Sequence, residues 1–185
     1  MVHLHIQRCS TLRALYIAQE DRTLLFTVSD SIHINAPIER CFLLSTSLEL
    51  VGQLLEMRPV AGDSRKTSGL VVGGDRIVWR GLVFGLPQVH ESLITRYERP
   101  GFFQDTMARG RFKRFQHDHL FTEIDGHTLV VDKLRFSLPL GWPGKIVARR
   151  VLVPYLSGVL RRRMMLLRHV AESEEWRRYL PEETE

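Results

Sequence analysis

The chain has 185 residues, close to the length of one ordinary domain, and 44% of them are hydrophobic while 25% are charged. This composition excludes a disordered chain, and the net charge of +5 favours an anionic partner, either phospholipid or nucleic acid. The two cysteines, Cys9 and Cys41, are too few for a disulfide framework, and no apolar stretch reaches the roughly 20 residues needed to cross a bilayer. We therefore expect a cytoplasmic protein without an export signal.

The first predicted strand covers residues 23–34, where apolar and polar residues alternate with a period near two. A helix should begin around Pro37. Proline has no N–H, and in the first turn of a helix an N–H would have no partner within the helix, so proline is well tolerated there. This helix is expected to pause near residues 45–47 and to resume as a second short helix that ends near Met57. Residues 1–22 precede these elements as an N-terminal extension.

Turn-forming residues divide the middle of the chain into pieces of strand length. The clearest turn is Asp125-Gly126, which lies between two long alternating runs and predicts a tight hairpin. Connections this short can only join antiparallel strands, because parallel strands need long crossovers. The predicted strands cover residues 75–84, 88–98, 102–108, 112–124 and 127–138.

Beyond residue 143 the hydrophobic period becomes helical, which predicts one long C-terminal helix. Pro154 should kink this helix or divide it into two segments. The arginine-rich run at residues 161–168 fits either a solvated helix face or a contact with an anionic membrane surface. Residues 177–185 form the predicted C-terminal tail. The predicted apolar face of the helix consists of Ile146, Val153, Leu156, Leu160, Met164, Leu167 and Ala171.

Three stretches, at residues 34–42 (INAPIERCF), 103–121 and 128–139, follow one another in a familiar order and spacing. Together they resemble the START-like helix-grip superfamily, also called SRPBCC, and within it a bacterial polyketide cyclase/dehydrase-like subgroup. The resemblance implies an α+β domain at residues 23–176, in which a curved antiparallel sheet wraps around a long C-terminal α-helix and two short helices follow the first strand. It also implies a cavity for an apolar molecule between sheet and helix, but it does not fix a reaction.

Polar residues on two paired strands are the candidates for chemistry. His117 and His119 lie two residues apart and so share one face of their strand, and across the hairpin Asp132 lies in an apolar alternation that should turn it inward. These residues could form a structural polar cluster, an acid–base pair with Asp105 as a further candidate, or a metal site. No full ligand set and no nucleophile accompany them, so the sequence predicts neither a metal nor a cofactor.

The leading prediction of function is a carrier or sensor for a lipid-like or aromatic, polyketide-like molecule. One alternative is a cyclase/dehydratase that uses His117, His119 and Asp132, and another is a membrane-surface module that acts through the basic C-terminal helix. No motif for reading nucleic acid accompanies the positive charge. Trp79 fits either the cavity wall or plain core packing. The predicted ligand-binding residues are Trp79, His90, Asp105, Phe115, Phe121, Val130, Leu134, Phe136, Leu156 and Leu160.

Overall fold

The computed structural model of the protein describes residues 25–55, 57–61, 66–139 and 141–180. The predicted N-terminal extension and residues 181–185 of the predicted tail lie outside the described residues. The chain order of the elements is β1 (Phe26–Ile34), α1 (Ile38–Thr46), α2 (Leu48–Gly52), β2 (Met57–Pro59), β3 (Arg76–Val83), β4 (Leu86–Glu98), β5 (Phe102–Arg109), β6 (Arg114–Ile124), β7 (His127–Ser137), α3 (Gly141–Val147), a π-helical segment (Ala148–Leu152), α4 (Val153–Glu172) and a 3₁₀ turn (Glu174–Arg178).

The described strands form one antiparallel sheet in the order β1-β7-β6-β5-β4-β3-β2. Two short helices follow β1, and the long C-terminal helix follows β7. This arrangement confirms the predicted α+β helix-grip class. No helix in the described part of the chain is both long and apolar enough to cross a membrane.

Local sequence explains where the two short helices begin and end. Pro37 lies directly before α1, and Ser47 separates α1 from α2, as predicted. The Ser47 hydroxyl accepts a hydrogen bond of 3.3 Å from the Leu50 N–H, so one of the free donors in the first turn of α2 is satisfied.

The predicted end of the second helix is wrong. α2 already ends at Gly52, and Met57–Pro59 forms β2, an edge strand that pairs with β3. Proline is compatible with a strand at the edge of a sheet, because its missing N–H need not serve a further neighbour. The sheet therefore has one strand more than the sequence predicted.

A π-helical segment interrupts the α-helical pattern of the C-terminal helix just before Pro154, where the sequence predicted a kink or a division. Proline offers no N–H to the preceding turn, and the π-helical segment Ala148–Leu152 lies directly before α4. The extra residue in a π turn also shifts the buried face. Ile146, which the sequence placed on the apolar face, is 53% exposed, and Gly144 and Ala148 are buried in its place.

The core lies between the inner face of the sheet and helices α1 and α4. Phe42 of α1 packs edge-on against Phe103 and Phe121 of the sheet, with ring centroids 5.6 and 5.4 Å away. From α4, Leu160 and Met164 are buried against the sheet, which confirms the inward face predicted for this part of the helix.

Candidate functional site

The register of three neighbouring strands places four titratable side chains together on the inner face of the sheet. His119 of β6 lies directly opposite Asp132 of β7, and His117 of β6 lies directly opposite Asp105 of β5. Arg163 of α4 reaches the same place from above the sheet. These five residues are called the inner-face cluster below.

The Asp125-Gly126 hairpin sets this register. Asp125 and Gly126 have φ angles of 49° and 77°, as a two-residue turn with both positions left-handed requires. The turn closes on the pair Ile124 and His127, and counting back equally from that pair brings His119 opposite Asp132. The predicted neighbourhood of this histidine and this carboxylate is therefore confirmed.

The imidazole of His119 bridges two carboxylates. Its Nδ1 lies 2.7 Å from Asp132 Oδ1, and its Nε2 lies 3.3 Å from Asp105 Oδ1. Burial by itself would lower the pKa of His119, but the negative charge of Asp132 and the hydrogen bonds to both carboxylates outweigh it and raise the pKa. An imidazolium can donate through both nitrogens at once, so this geometry fits the protonated form.

Arg163 holds the far oxygen of Asp132. Its Nη1 donates to Asp132 Oδ2 over 3.1 Å, and its Nη2 donates to the Ser45 carbonyl over 3.4 Å. Burial raises the pKa of Asp132, but the charge of Arg163, followed by that of His119, lowers it well below its ordinary value. Asp132 is fully buried and ionised because these neighbours offset the loss of water.

Sequence reasoning missed Arg163, because it lies in the arginine-rich run that was interpreted as a solvated or membrane-facing surface. The structure instead buries this arginine to 9% exposure. A signal was present: Leu160, Arg163 and Leu167 are spaced by three and four residues, which places the arginine in line with the buried face.

His117 and Asp105 are the accessible members of the cluster. Their side chains keep 13% and 18% exposure, although both residues lie on the inner face. His117 approaches Asp132 Oδ2 to 3.6 Å and Asp105 Oδ1 to 3.9 Å, and its buried Nε2 has no hydrogen-bond partner. Burial, together with the charge of His119, lowers the pKa of His117, which favours its neutral form.

A set of metal-ligating atoms exists in the cluster, but it differs from the set considered from the sequence. Donor atoms of Asp105, His117 and His119 all lie within 4.8 Å of one another. Asp132 is not available in the same way, because one oxygen contacts His119 and the other contacts Arg163. With His119 protonated, the two carboxylates are balanced by two cations, so the site is neutral without a metal ion.

The predicted ligand-binding residues separate into two groups. One group fills the packed core: Trp79 contacts the cluster of Ile77 and Ile94, and the other members are Phe121, Val130, Leu134, Phe136 and Leu160. The second group is only partly covered and lies near the inner-face cluster: His90, whose ring lies 5.1 Å from that of Phe115, together with Asp105, Phe115 and Leu156.

Two hollows in the described residues lie away from the predicted cavity wall. A groove of about 1020 Å³ runs between α2 and the edge strands β2 and β3, where Gln53, Met57 and Arg80 line it. A gap of only about 10 Å³ lies beside Arg163 and Leu166. Neither is lined by a predicted ligand-binding residue, because much of the predicted wall is packed into the core.

Comparison with known proteins supports the fold. No protein-family model and no curated protein sequence matches this chain. Solved structures do match. A START superfamily protein from Mycobacterium smegmatis is 15% identical with a TM-score of 0.55, and the match covers 76% of this chain and 98% of that one. Ara h 8.0201 is 12% identical with a TM-score of 0.54, covering 78% and 98%.

A third similar structure is the di-domain ARO/CYC BexL from the BE-7585A biosynthetic pathway. It is 18% identical with a TM-score of 0.61, and the match covers 81% of this chain and 51% of BexL. This protein has the START-like helix-grip fold. Within that fold, the inner-face cluster lies where the sheet faces its long helix.

Proposed function

We propose that this START-like protein binds an apolar small molecule with a polar group, as a carrier or sensor, on the inner face of its sheet. The observation that carries the proposal is the partial exposure of Asp105 and His117 beside apolar residues of the same face of the sheet. Half-buried Phe115 and Leu156 would contact the apolar part of such a ligand. The similarity to a START superfamily protein and to an ARO/CYC protein is consistent with this class of ligand.

A hydroxyl on the ligand could bond to two groups of the cluster that do not bond to each other. His117 Nδ1 and Asp105 Oδ1 are 3.9 Å apart, too far for a mutual hydrogen bond. A ligand hydroxyl placed between them could donate to the carboxylate and accept from the imidazole. Pairing buried polar groups in this way contributes about 1 kcal/mol per bond, whereas leaving them unpaired costs about 1–3 kcal/mol.

Native mass spectrometry of the protein as purified tests this proposal. A tightly held ligand should appear as a single mass above that of the chain. An environment-sensitive apolar dye should also bind at one saturable site, and the ligand should displace it. Absence of both the added mass and the saturable dye binding would count against the proposal.

A cyclase or dehydratase is the second candidate, and one observation favours it. His119 is held between two carboxylates, and one of them, Asp105, is accessible. Such a chain could take a proton from a bound substrate at Asp105 and return one through the imidazolium. Incubation of the protein with a bound aromatic ketone precursor, followed by mass analysis for loss of water, would detect this activity.

A further inference from the structure

Large apolar side chains are exposed on two elements that contact each other. These elements are the turn between β3 and β4, and the start of the C-terminal helix. The ring of Phe84 in the turn lies 4.5 Å from that of Tyr155 in α4, which joins the two elements. This surface, called the apolar tip, consists of Phe84, Leu86, Trp142, Ile146, Val147 and Val151, which are 45–75% exposed.

The backbone conformation of Phe84 is energetically unfavourable for a phenylalanine. Phe84 and Gly85 form the two-residue turn and have φ angles of 53° and 71°. Glycine, asparagine and aspartate adopt such angles at little cost, whereas a bulky side chain does not. The phenylalanine is also 54% exposed, so folding gains little from it in return. A contact made outside the chain would explain why an aromatic residue stands there.

Positive charge lies beside the apolar tip. Lys145, Arg149 and Arg150 are exposed on the same helical segment as Trp142. The connection between β5 and β6 adds Arg111, whose guanidinium donates to the Pro87 carbonyl beside the tip over 3.3 Å. No aspartate or glutamate occurs at positions 133–171 or 106–117. The local field is therefore strongly positive, and a negatively charged surface would complement it.

We propose that the apolar tip docks on the surface of an anionic phospholipid bilayer. Trp142, Ile146 and Phe84 would enter the interface, and the flanking cations would contact the lipid headgroups. A second copy of the chain fits poorly, because two such surfaces would bring like charges together. Nucleic acid would leave the exposed aliphatic side chains without a partner. The proposal is independent of whether the inner face binds a ligand.

This surface differs from the basic run that the sequence suggested for membrane contact. In that run Arg163 is buried, Arg161 lies 3.7 Å from Asp30, and Met164 and Leu167 belong to the core. The residues of the apolar tip lie before Pro154, and the run lies after it. The two locations can therefore be separated by mutation.

Flotation with vesicles of phosphatidylcholine, with and without phosphatidylserine, tests the proposal on the full chain. The protein should bind only the anionic vesicles, and Arg149→Gln with Arg150→Gln should weaken binding about 30-fold, since each cation near the membrane contributes about 1 kcal/mol. Trp142→Ala with Ile146→Ser should weaken it by at least about tenfold. The matched control, Arg162→Gln with Arg168→Gln, removes the same charge from the later run and should change binding little.

Tryptophan fluorescence adds a direct measure of contact. Of the three tryptophans, Trp142 is 75% exposed, Trp79 is 6% exposed, and Trp176 is partly buried and lies outside the apolar tip. Anionic vesicles should therefore shift the emission of the parent to the blue, and Trp142→Phe should remove most of that shift while binding persists. Equal loss of binding in the control variant would overturn the proposal. So would a parent protein that ignores anionic vesicles, whether it proves to be a dimer through the tip or to bind DNA there.

Discussion

His119 and Asp132 face each other across β6 and β7, and the 2.7 Å contact between Nδ1 and Oδ1 connects the imidazole to a carboxylate that Arg163 holds from the other side. The three groups depend on one another because each lies in the protein interior. Burial of a charge is tolerable only with a partner close by. Replacing one of the three with an uncharged residue should therefore destabilise the fold more than replacing all three with apolar residues.

Asp132→Asn should lower the free energy of unfolding by about 3–5 kcal/mol, because it leaves the buried Arg163 without its counter-ion. The matched control is Asp30→Asn. Asp30 lies directly opposite Asp132 on β1, but its partner Arg161 is 64% exposed and 3.7 Å away, so its loss should cost less than about 1 kcal/mol. Urea unfolding of both variants measures the difference, and equal stability would contradict the interpretation of the cluster as a coupled ionic set.

The stability of the protein should fall as pH rises above neutrality because of His119. Its pKa is raised in the folded state, so its contribution is complete below the unfolded pKa of about 6.5 and is lost as pH climbs through the folded pKa. His117 has the opposite shift, so its effect is confined to lower pH. The measurement is the free energy of urea unfolding from about pH 6.5 to about pH 7.5, below the unfolded thiol pKa of about 8.5.

His119→Gln tests whether His119 causes this decrease in the free energy of unfolding with rising pH. Glutamine keeps a polar side chain between the two carboxylates but does not titrate. The parent should lose stability over this pH range, while the variant, less stable overall, should stay nearly flat. A variant with the same slope as the parent would show that another group is responsible.

The sequence alone predicted part of the inner-face cluster, and the parts that it missed have physical explanations. A two-residue turn fixes strand register, so the contact of His119 with Asp132 could be predicted from Asp125-Gly126. Arg163 was missed despite its spacing from Leu160 and Leu167, because arginine is rarely buried and its run suggested solvent. The exposed Ile146 was misplaced, since a π-helical segment shifts the periodicity on which the prediction depended.

Asp105→Asn should reduce ligand affinity about three- to tenfold with a small effect on stability, because the carboxylate is partly exposed and its contact with His119 is long, at 3.3 Å. Asp118→Asn is the control on the opposite face of the sheet, where the carboxylate accepts a hydrogen bond from Gln104 and pairs with Arg135. Titration with the saturable apolar dye or the recovered ligand measures both. Loss of affinity in the control alone would contradict the placement of the ligand on the inner face.

His119→Gln also separates a carrier from an enzyme. In a carrier, the imidazolium only positions Asp105 and Asp132, so the variant should bind ligand more weakly, melt at a lower temperature and return the bound molecule unchanged, as the parent does. In a cyclase or dehydratase, the same group would act mainly in the transition state, and the variant would keep its affinity while losing rate. Mass analysis of a ligand after incubation with parent and variant, alongside binding measured at the same temperature, compares the two outcomes. Conversion by the parent that disappears in a variant of unchanged affinity would replace the carrier proposal with the enzymatic one.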